Sequence, residues 1–130
     1  MDTKSRIIDG SITFFYYNDL EQASNFYSNI MGFKKVLDVG FAQLFKTHGN
    51  THLGLVDGNK GSMKPSEHKS VMLSLFVDDV EEWRSRLMEK GLELGPPQKP
   101  DYLEMKVLVF KDPEGYTLEM LQWLKKPYGQ

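Results

Sequence analysis

The first half of the chain shows one apolar run, one amphipathic stretch and then three short apolar segments. Ile12–Tyr17 is rich in β-branched and aromatic residues, which predicts a buried strand. Asp19 is a typical helix N-cap, with Gln22 at the capping-box position, and Gly32 suits the left-handed position just past a helix end. The pattern therefore predicts a helix over 20–31, followed by strands at 33–39, 42–47 and 52–56.

The second half repeats this order after a polar stretch rich in glycine and lysine. Val71–Val77 predicts a second buried strand, Asp79 a second N-cap with Glu82 at the capping-box position, and Gly91 a second helix end. A helix near 80–90 follows, and then strands at 92–94, 104–111 and 116–123. Asp112–Gly115 has the composition of a tight turn between the last two strands.

The repeat is the strongest indication of fold. Asp19-Leu20-Glu21 matches Asp79-Val80-Glu81 at an offset of 60, and Gly32 matches Gly91 at 59. The predicted order is β-α-β-β-β twice, in an α+β fold whose two copies share one core, because a single copy buries little surface alone. The alternative is a chance similarity, which two matched caps and two matched glycines make the weaker interpretation.

The repeated order of elements predicts a single domain over 1–130. Module one spans about 10–57, a linker about 58–70, and module two about 71–124.

Composition narrows the function classes. The chain has 130 residues, a formal net charge of −2 and no cysteine, which removes disulfides, thiolate metal sites and a cysteine nucleophile. Basic residues form no long run, so no nucleic acid partner is expected. No apolar run reaches the roughly 20 residues of a membrane span, and the first residues do not resemble a signal peptide. We expect no membrane association and a cytoplasmic protein.

Several short motifs, in the same order along the chain, resemble the vicinal oxygen chelate superfamily of glyoxalase I, bleomycin-resistance proteins and extradiol dioxygenases. They are Asn18-Asp19-Leu20-Glu21, Asn25-Phe26-Tyr27 with Met31-Gly32-Phe33, Val77-Asp78-Asp79-Val80, and Lys111-Asp112-Pro113-Glu114-Gly115-Tyr116 with Leu118-Glu119-Met120. The resemblance implies two βαβββ modules, each a curled mixed sheet with a covering helix. It also implies that the modules together form a cup for a small molecule and that the protein is a homodimer.

Strand alternation predicts which side chains enter that cup. The helices are expected to cover Phe15, Tyr17, Leu73, Leu75, Leu118 and Met120. The opposite faces carry the expected ligand-binding residues: Phe14, Tyr16, His52, Met72, Ser74, Phe76, Glu119 and Leu121. Ile12 and Thr117 share these faces, and Phe45 and Trp123 complete the aromatic set from which some members would line the cup.

The resemblance also implies where metal ligands would lie, namely on the first strand of each module and on the last strand. Ile12 and Met72 occupy the two first-strand positions, and neither binds a hard or borderline divalent ion. Glu119 remains on the last strand, and His52 is the best candidate for an added donor, although an ordinary strand-end histidine is the favoured interpretation. We expect no cofactor and no tightly bound metal. A divalent metal held by Glu119 and His52 stays open.

Glu119 is the best candidate for a catalytic residue and, by a small margin, the better candidate for a polar anchor of a ligand. A carboxylate in an aromatic cup has to be paired, protonated or met by a hydrogen-bonding or cationic ligand, and Tyr16 or Ser74 could donate to it. The alternative is a structural glutamate, either exposed on an edge strand or paired with Lys106 or Lys111.

Three functions follow. The first is metal-free binding of a small aromatic or cationic molecule, as in a sequestering resistance protein or a carrier. The second is a divalent-metal-dependent lyase, isomerase or dioxygenase, either similar to glyoxalase I or of the dioxygenase type, using Glu119 with or without His52. The third is a protein-interaction module whose cup is filled by its own side chains.

Overall fold

A computed structural model describes residues 7–129. The chain divides into two compact units with the boundary between Pro65 and Ser66. They are called module one and module two below.

Module one is a four-stranded mixed sheet covered on one face by a helix. Its elements are β1 (Ser11–Tyr17), α1 (Leu20–Asn25), a π-helical segment (Phe26–Ile30), β2 (Lys34–Asp38), β3 (Ala42–His48) and β4 (Thr51–Asp57). The strand order is β1-β4-β3-β2, in which β1 and β4 are parallel and the other pairs are antiparallel.

The first helix begins and ends as its sequence predicts. The Asp19 carboxylate accepts a hydrogen bond from the Gln22 backbone N–H at 3.0 Å, and Gly32 has a φ of 75°. The helix is not uniform, because it widens after Asn25 into a π-helical segment. There the N–H of Met31 donates to the carbonyl of Phe26, five residues back, at 2.9 Å.

The core of module one lies between this helix and the sheet. Phe15, Tyr17, Tyr27 and Phe45 are all at most 2% exposed. The hydroxyl of Tyr17 donates to that of Tyr27 at 3.4 Å, so one buried phenol is the acceptor for the other. Phe45 packs on Tyr27 with ring centroids 6.4 Å apart, which places this member of the predicted aromatic set under the helix.

Module two repeats the plan with a three-stranded sheet. Its elements are β5 (Met72–Phe76), α2 (Val80–Glu89), β6 (Met105–Lys111) and β7 (Thr117–Trp123). The order is β5-β7-β6, and β5 and β7 are parallel, as β1 and β4 are in module one. The Asp79 side chain caps α2 by accepting from Glu82 N–H at 3.1 Å, and Gly91 ends it with a φ of 101°.

The strand predicted at 92–94 is wrong. The carbonyl oxygens of Leu94 and Gly95 accept hydrogen bonds from the Arg84 guanidinium at 3.0 and 2.8 Å, so they meet a helix side chain instead of a neighbouring strand. Pro96 and Pro97 follow and lack the N–H groups a ladder needs. The segment touches the sheet through one isolated bridge, between Gln98 and Val107.

The predicted α+β class is confirmed. Each described module is a mixed sheet with one helical layer, and its first strand lies parallel to its last. No helix within residues 7–129 is long and apolar enough to cross a membrane.

Candidate ligand-binding site

Each sheet has one face covered by its helix and an opposite face, called the open face. Side chains alternate between the two faces along a strand. In β1, Phe14 is 45% exposed and Phe15 only 2%, and in β7 Leu118 and Met120 are fully buried. The eight residues expected to contact a ligand lie on the open faces of their own modules.

On the open face of module one, Phe14 lies across Gly54 of β4. A methyl group at Gly54 would come within 2.4 Å of Cδ1 of Phe14, so the missing side chain makes room for the ring. Tyr16 lies two residues further along β1, and its hydroxyl is 3.4 Å from the hydroxyl oxygen of Ser62.

His52 is half-buried at the start of β4, opposite Ile12 on β1 and Lys46 on β3. It borders a cavity of about 410 Å³ that Ile12 and Leu44 also line. The imidazole therefore lies on the open face of module one beside apolar groups.

The open face of module two has Glu119 at its centre. In register, Glu119 of β7 lies between Ser74 of β5 and Val109 of β6. The Ser74 hydroxyl donates to Oε1 of Glu119 at 2.6 Å, which is the short distance expected of a hydrogen bond to a carboxylate. Ser74 was one of the two donors expected from the sequence.

The two lysines considered as partners of Glu119 are engaged elsewhere, so that pairing is wrong. Lys106 forms an ion pair with Glu81 of α2 at 3.2 Å. Lys111 donates to the Thr117 hydroxyl at 2.8 Å. The negative charge of Glu119 is therefore met by a neutral hydroxyl.

The open face around this carboxylate is mixed, with the polar Thr117 next along β7 and two exposed apolar side chains on β5. Met72 and Phe76 are 53% and 60% exposed, on the same strand as Ser74. Leu121, by contrast, is 7% exposed and packs with Met105 and Val107, so it offers little surface to a ligand.

Trp123 extends the aromatic side of this face. Its ring lies 5.5 Å from that of Phe76 and 5.9 Å from that of Tyr128. Its indole N–H is buried and has no hydrogen-bond partner within residues 7–129. Tyr128 was missed by sequence reasoning because nothing in the pattern of the C-terminal tail indicates that the chain returns to the sheet.

The open-face residues of β6 were also missed. Met105, Val107 and Val109 could have been found by alternation, since the opposite positions Leu108 and Phe110 face the helix.

The available donors do not fit the divalent ion that the resemblance implies. The first-strand positions hold Ile12 and Met72, which are apolar, and one Glu119 oxygen already accepts from Ser74. Across the part of the chain that the structure describes, no three histidine, aspartate or glutamate side chains are placed to hold a metal.

Known structures share this architecture. A lactoylglutathione lyase from Agrobacterium tumefaciens is 21% identical, with 92% of this chain and 95% of that chain covered at a TM-score of 0.73. A glyoxalase/bleomycin resistance protein/dioxygenase from Nocardioides is 24% identical, with 98% of this chain and 92% of that chain covered at a TM-score of 0.75. A member of the glyoxalase/bleomycin resistance protein/dioxygenase superfamily from Sphaerobacter thermophilus is 24% identical, with 89% of this chain and 98% of that chain covered at a TM-score of 0.73. Identities this low show a common fold and no more.

The sequence itself gives the family. No curated protein matches the chain. The family model described as Glyoxalase/Bleomycin resistance protein/Dioxygenase superfamily matches residues 11–120, which is most of the chain. The resemblance seen in the sequence motifs is confirmed, and the chain belongs to the glyoxalase/bleomycin resistance protein/dioxygenase superfamily.

Proposed function

We propose that this protein binds a small molecule without a metal ion, and that Glu119 on the open face of module two is the main polar contact. The observation that carries the proposal is the setting of this carboxylate. It accepts one hydrogen bond from Ser74, has no basic partner among the described residues, and shares its sheet face with Met72, Phe76 and Trp123.

This setting favours a ligand with an aromatic or apolar body and a cationic or N–H-bearing group. The ammonium group of such a ligand would form a charge-assisted hydrogen bond with the second carboxylate oxygen of Glu119. Its apolar part would cover Phe76, which is 60% exposed, and reach toward Trp123. Aromatic rings also attract a cation directly, so both groups favour positive charge.

Module one offers its own ligand-contacting groups on its open face. Phe14 presents a ring that is 45% exposed, Tyr16 a phenol, and His52 an imidazole beside a cavity. These groups suit aromatic and hydrogen-bonding contacts, and none of them supplies a negative charge.

We also propose that the protein is a homodimer. Large apolar side chains are exposed on the strands, among them Ile12, Phe14, Val36 and Leu37. β2 is an edge strand in its sheet, and soluble proteins usually cover such edges and patches. Light scattering that gives the mass of one chain at micromolar concentration would contradict this.

The metal-dependent alternative is less well supported. The two first-strand positions hold the apolar residues Ile12 and Met72, which leaves Glu119 and His52 as the best protein donors. The lyase activity named for the Agrobacterium structure belongs to that protein, with which this chain shares a fold at 21% identity.

The proposal can be tested by tryptophan fluorescence in the presence of EDTA. The chain has two tryptophans, Trp83 on α2 and Trp123 on the open face, so a Trp83→Phe variant reports on Trp123 alone. Benzylammonium is expected to change this emission saturably, whereas phenylacetate of similar size binds at least tenfold more weakly. Equal responses to both ions, or a response seen only when EDTA is replaced by Zn²⁺, would contradict the proposal.

A further inference from the structure

A second cavity, on the other side of module one, is separate from the open faces. It is a groove of about 560 Å³ between the first helix and the β2–β3 hairpin, called the polar groove here. Glu21, Ser24 and Ser28 line its helical wall, and Lys35 and Gln43 line the hairpin wall. The volume is within the range of small-molecule sites, and the lining is mostly polar.

Gln43 is the unusual residue of this groove. It is 9% exposed on β3, on the same sheet face as Phe45, and its neighbours in register are Asp38 and Leu55. Its side-chain oxygen is buried and has no hydrogen-bond partner in the described part of the chain. A buried carbonyl without a donor is unfavourable, and native proteins hold few of them. A ligand N–H or a bound water in the groove would satisfy this oxygen.

Two irregularities of the backbone border the same groove. The π-helical segment Phe26–Ile30 carries Ser28, and the pairing of β2 with β3 shifts register between Lys35 and Leu37. π-helical turns and β-bulges both occur preferentially near functional sites.

The groove is lined by one lysine and one glutamate, and the Asp38 carboxylate that pairs with the lysine leaves negative charge in excess. Lys35 is engaged with the Asp38 carboxylate at 3.5 Å and lies 5.9 Å from the Phe45 ring centroid. Glu21 adds an exposed carboxylate on the helical wall. The unpartnered Gln43 oxygen accepts hydrogen bonds and cannot donate them.

We infer that the polar groove is a second binding site of this protein, for a small hydrophilic compound that carries a protonated amine. The ammonium group donates to the Gln43 oxygen, and the Glu21 carboxylate supplies long-range attraction. The site is independent of Glu119 and of the function proposed above.

The test is a titration of the full chain, labelled with ¹⁵N, with ethanolamine near neutral pH. Ethylene glycol, which lacks the amine, and glycolate, which is an anion, are the comparison probes. We expect saturable shifts of backbone amides in 24–29 and 40–43 with ethanolamine, and at least tenfold weaker effects with the other two. No saturable shift in these segments, or equal shifts with glycolate, would overturn the inference.

Variants separate binding from folding. Gln43→Met removes an oxygen that has no partner, so the variant should melt no lower than the parent and bind ethanolamine at least tenfold more weakly. The matched control is Gln122→Met, because the Gln122 oxygen accepts from the Val80 N–H at 3.0 Å. That control should lose stability and keep the ethanolamine response.

Glu21→Gln provides a second variant on the helical wall, where it changes charge with little effect on folding. It should weaken ethanolamine binding several-fold. Unchanged binding in both Gln43→Met and Glu21→Gln would refute the assignment of the site.

Discussion

Ser74 and Glu119 lie opposite each other on the parallel strands β5 and β7, and the serine hydroxyl donates to the carboxylate at 2.6 Å. One carboxylate oxygen is thereby held in place. The other oxygen remains for a ligand, on a face that also carries the exposed apolar side chains of Met72 and Phe76.

Ser74→Ala should therefore weaken ligand binding without unfolding the protein. Ser74 is exposed, so the lost hydrogen bond is expected to cost about 0.5–1 kcal/mol of unfolding free energy. The affinity for benzylammonium should fall a few-fold, because the carboxylate loses its orienting partner. Ser85→Ala, at an exposed position of α2, is the control and should leave both quantities unchanged. Identical behaviour of the two variants in calorimetry would refute the orienting role.

The glycine that ends α2 offers a test of the fold. Gly91 has a φ of 101°, and an alanine there should lower stability by about 1–2 kcal/mol because a side chain disfavours this conformation. Gly95 is the matched control, since it has no positive φ and its Cβ would meet no atom within 4 Å. Urea denaturation of Gly91→Ala and Gly95→Ala should show a clear loss only for the first. A loss of equal size in both would mean that helix termination does not depend on Gly91.

Arg84 binds the segment after α2, whose carbonyl groups accept hydrogen bonds from this side chain and not from a neighbouring strand. Arg84→Met removes the donors to the Leu94 and Gly95 carbonyls and should cost about 1–2 kcal/mol. Arg86→Met is the control, because the Arg86 guanidinium stacks on Trp83, 4.3 Å from its ring centroid, and its loss should cost about 0.5 kcal/mol. Backbone amides of 92–98 should exchange faster in the first variant alone. Unchanged exchange would show that Arg84 does not hold this segment.

The metal-free account predicts a definite elemental analysis. Protein purified without chelator should contain far less than one equivalent of Zn, Ni, Mn or Fe per chain. The physical reason is that Ile12 and Met72 occupy the first-strand positions where donors would be needed. One equivalent that survives mild chelation would show that His52 or other donors complete a site, and a His52→Ala variant would then reveal whether the histidine is a ligand.

Much of the fold could be predicted from the sequence because its signals are local. Asp19, Asp79, Gly32 and Gly91 act through their own side chains or backbone angles, and all four behave as predicted. The segment 92–94 could not be predicted, because its Leu94 carbonyl accepts from Arg84, ten residues away in sequence. Short apolar runs give no indication of such a competitor.

The candidate site likewise has features that could be predicted from the sequence and features that could not. Alternation places Phe14, Glu119 and Ser74 on the open faces because the period of a strand is local. How deeply a side chain on that face is buried depends on residues distant in sequence. Leu121 is an example, because Met105 and Val107 cover it from another strand. The unpartnered Gln43 oxygen was also beyond sequence reasoning, because it depends on which atoms the first helix brings near β3.

The most direct test of the account compares the parent protein with Glu119→Gln in a calorimetric titration with benzylammonium in EDTA. The amide keeps the shape and can still accept from Ser74, so the melting temperature should change by no more than a degree or two while the affinity falls at least tenfold. Glu81→Gln, which removes the carboxylate paired with Lys106, is the control and should bind as the parent does. If Glu119→Gln binds benzylammonium as tightly as the parent and instead loses several degrees of melting temperature, Glu119 is a structural residue and the proposed function is wrong.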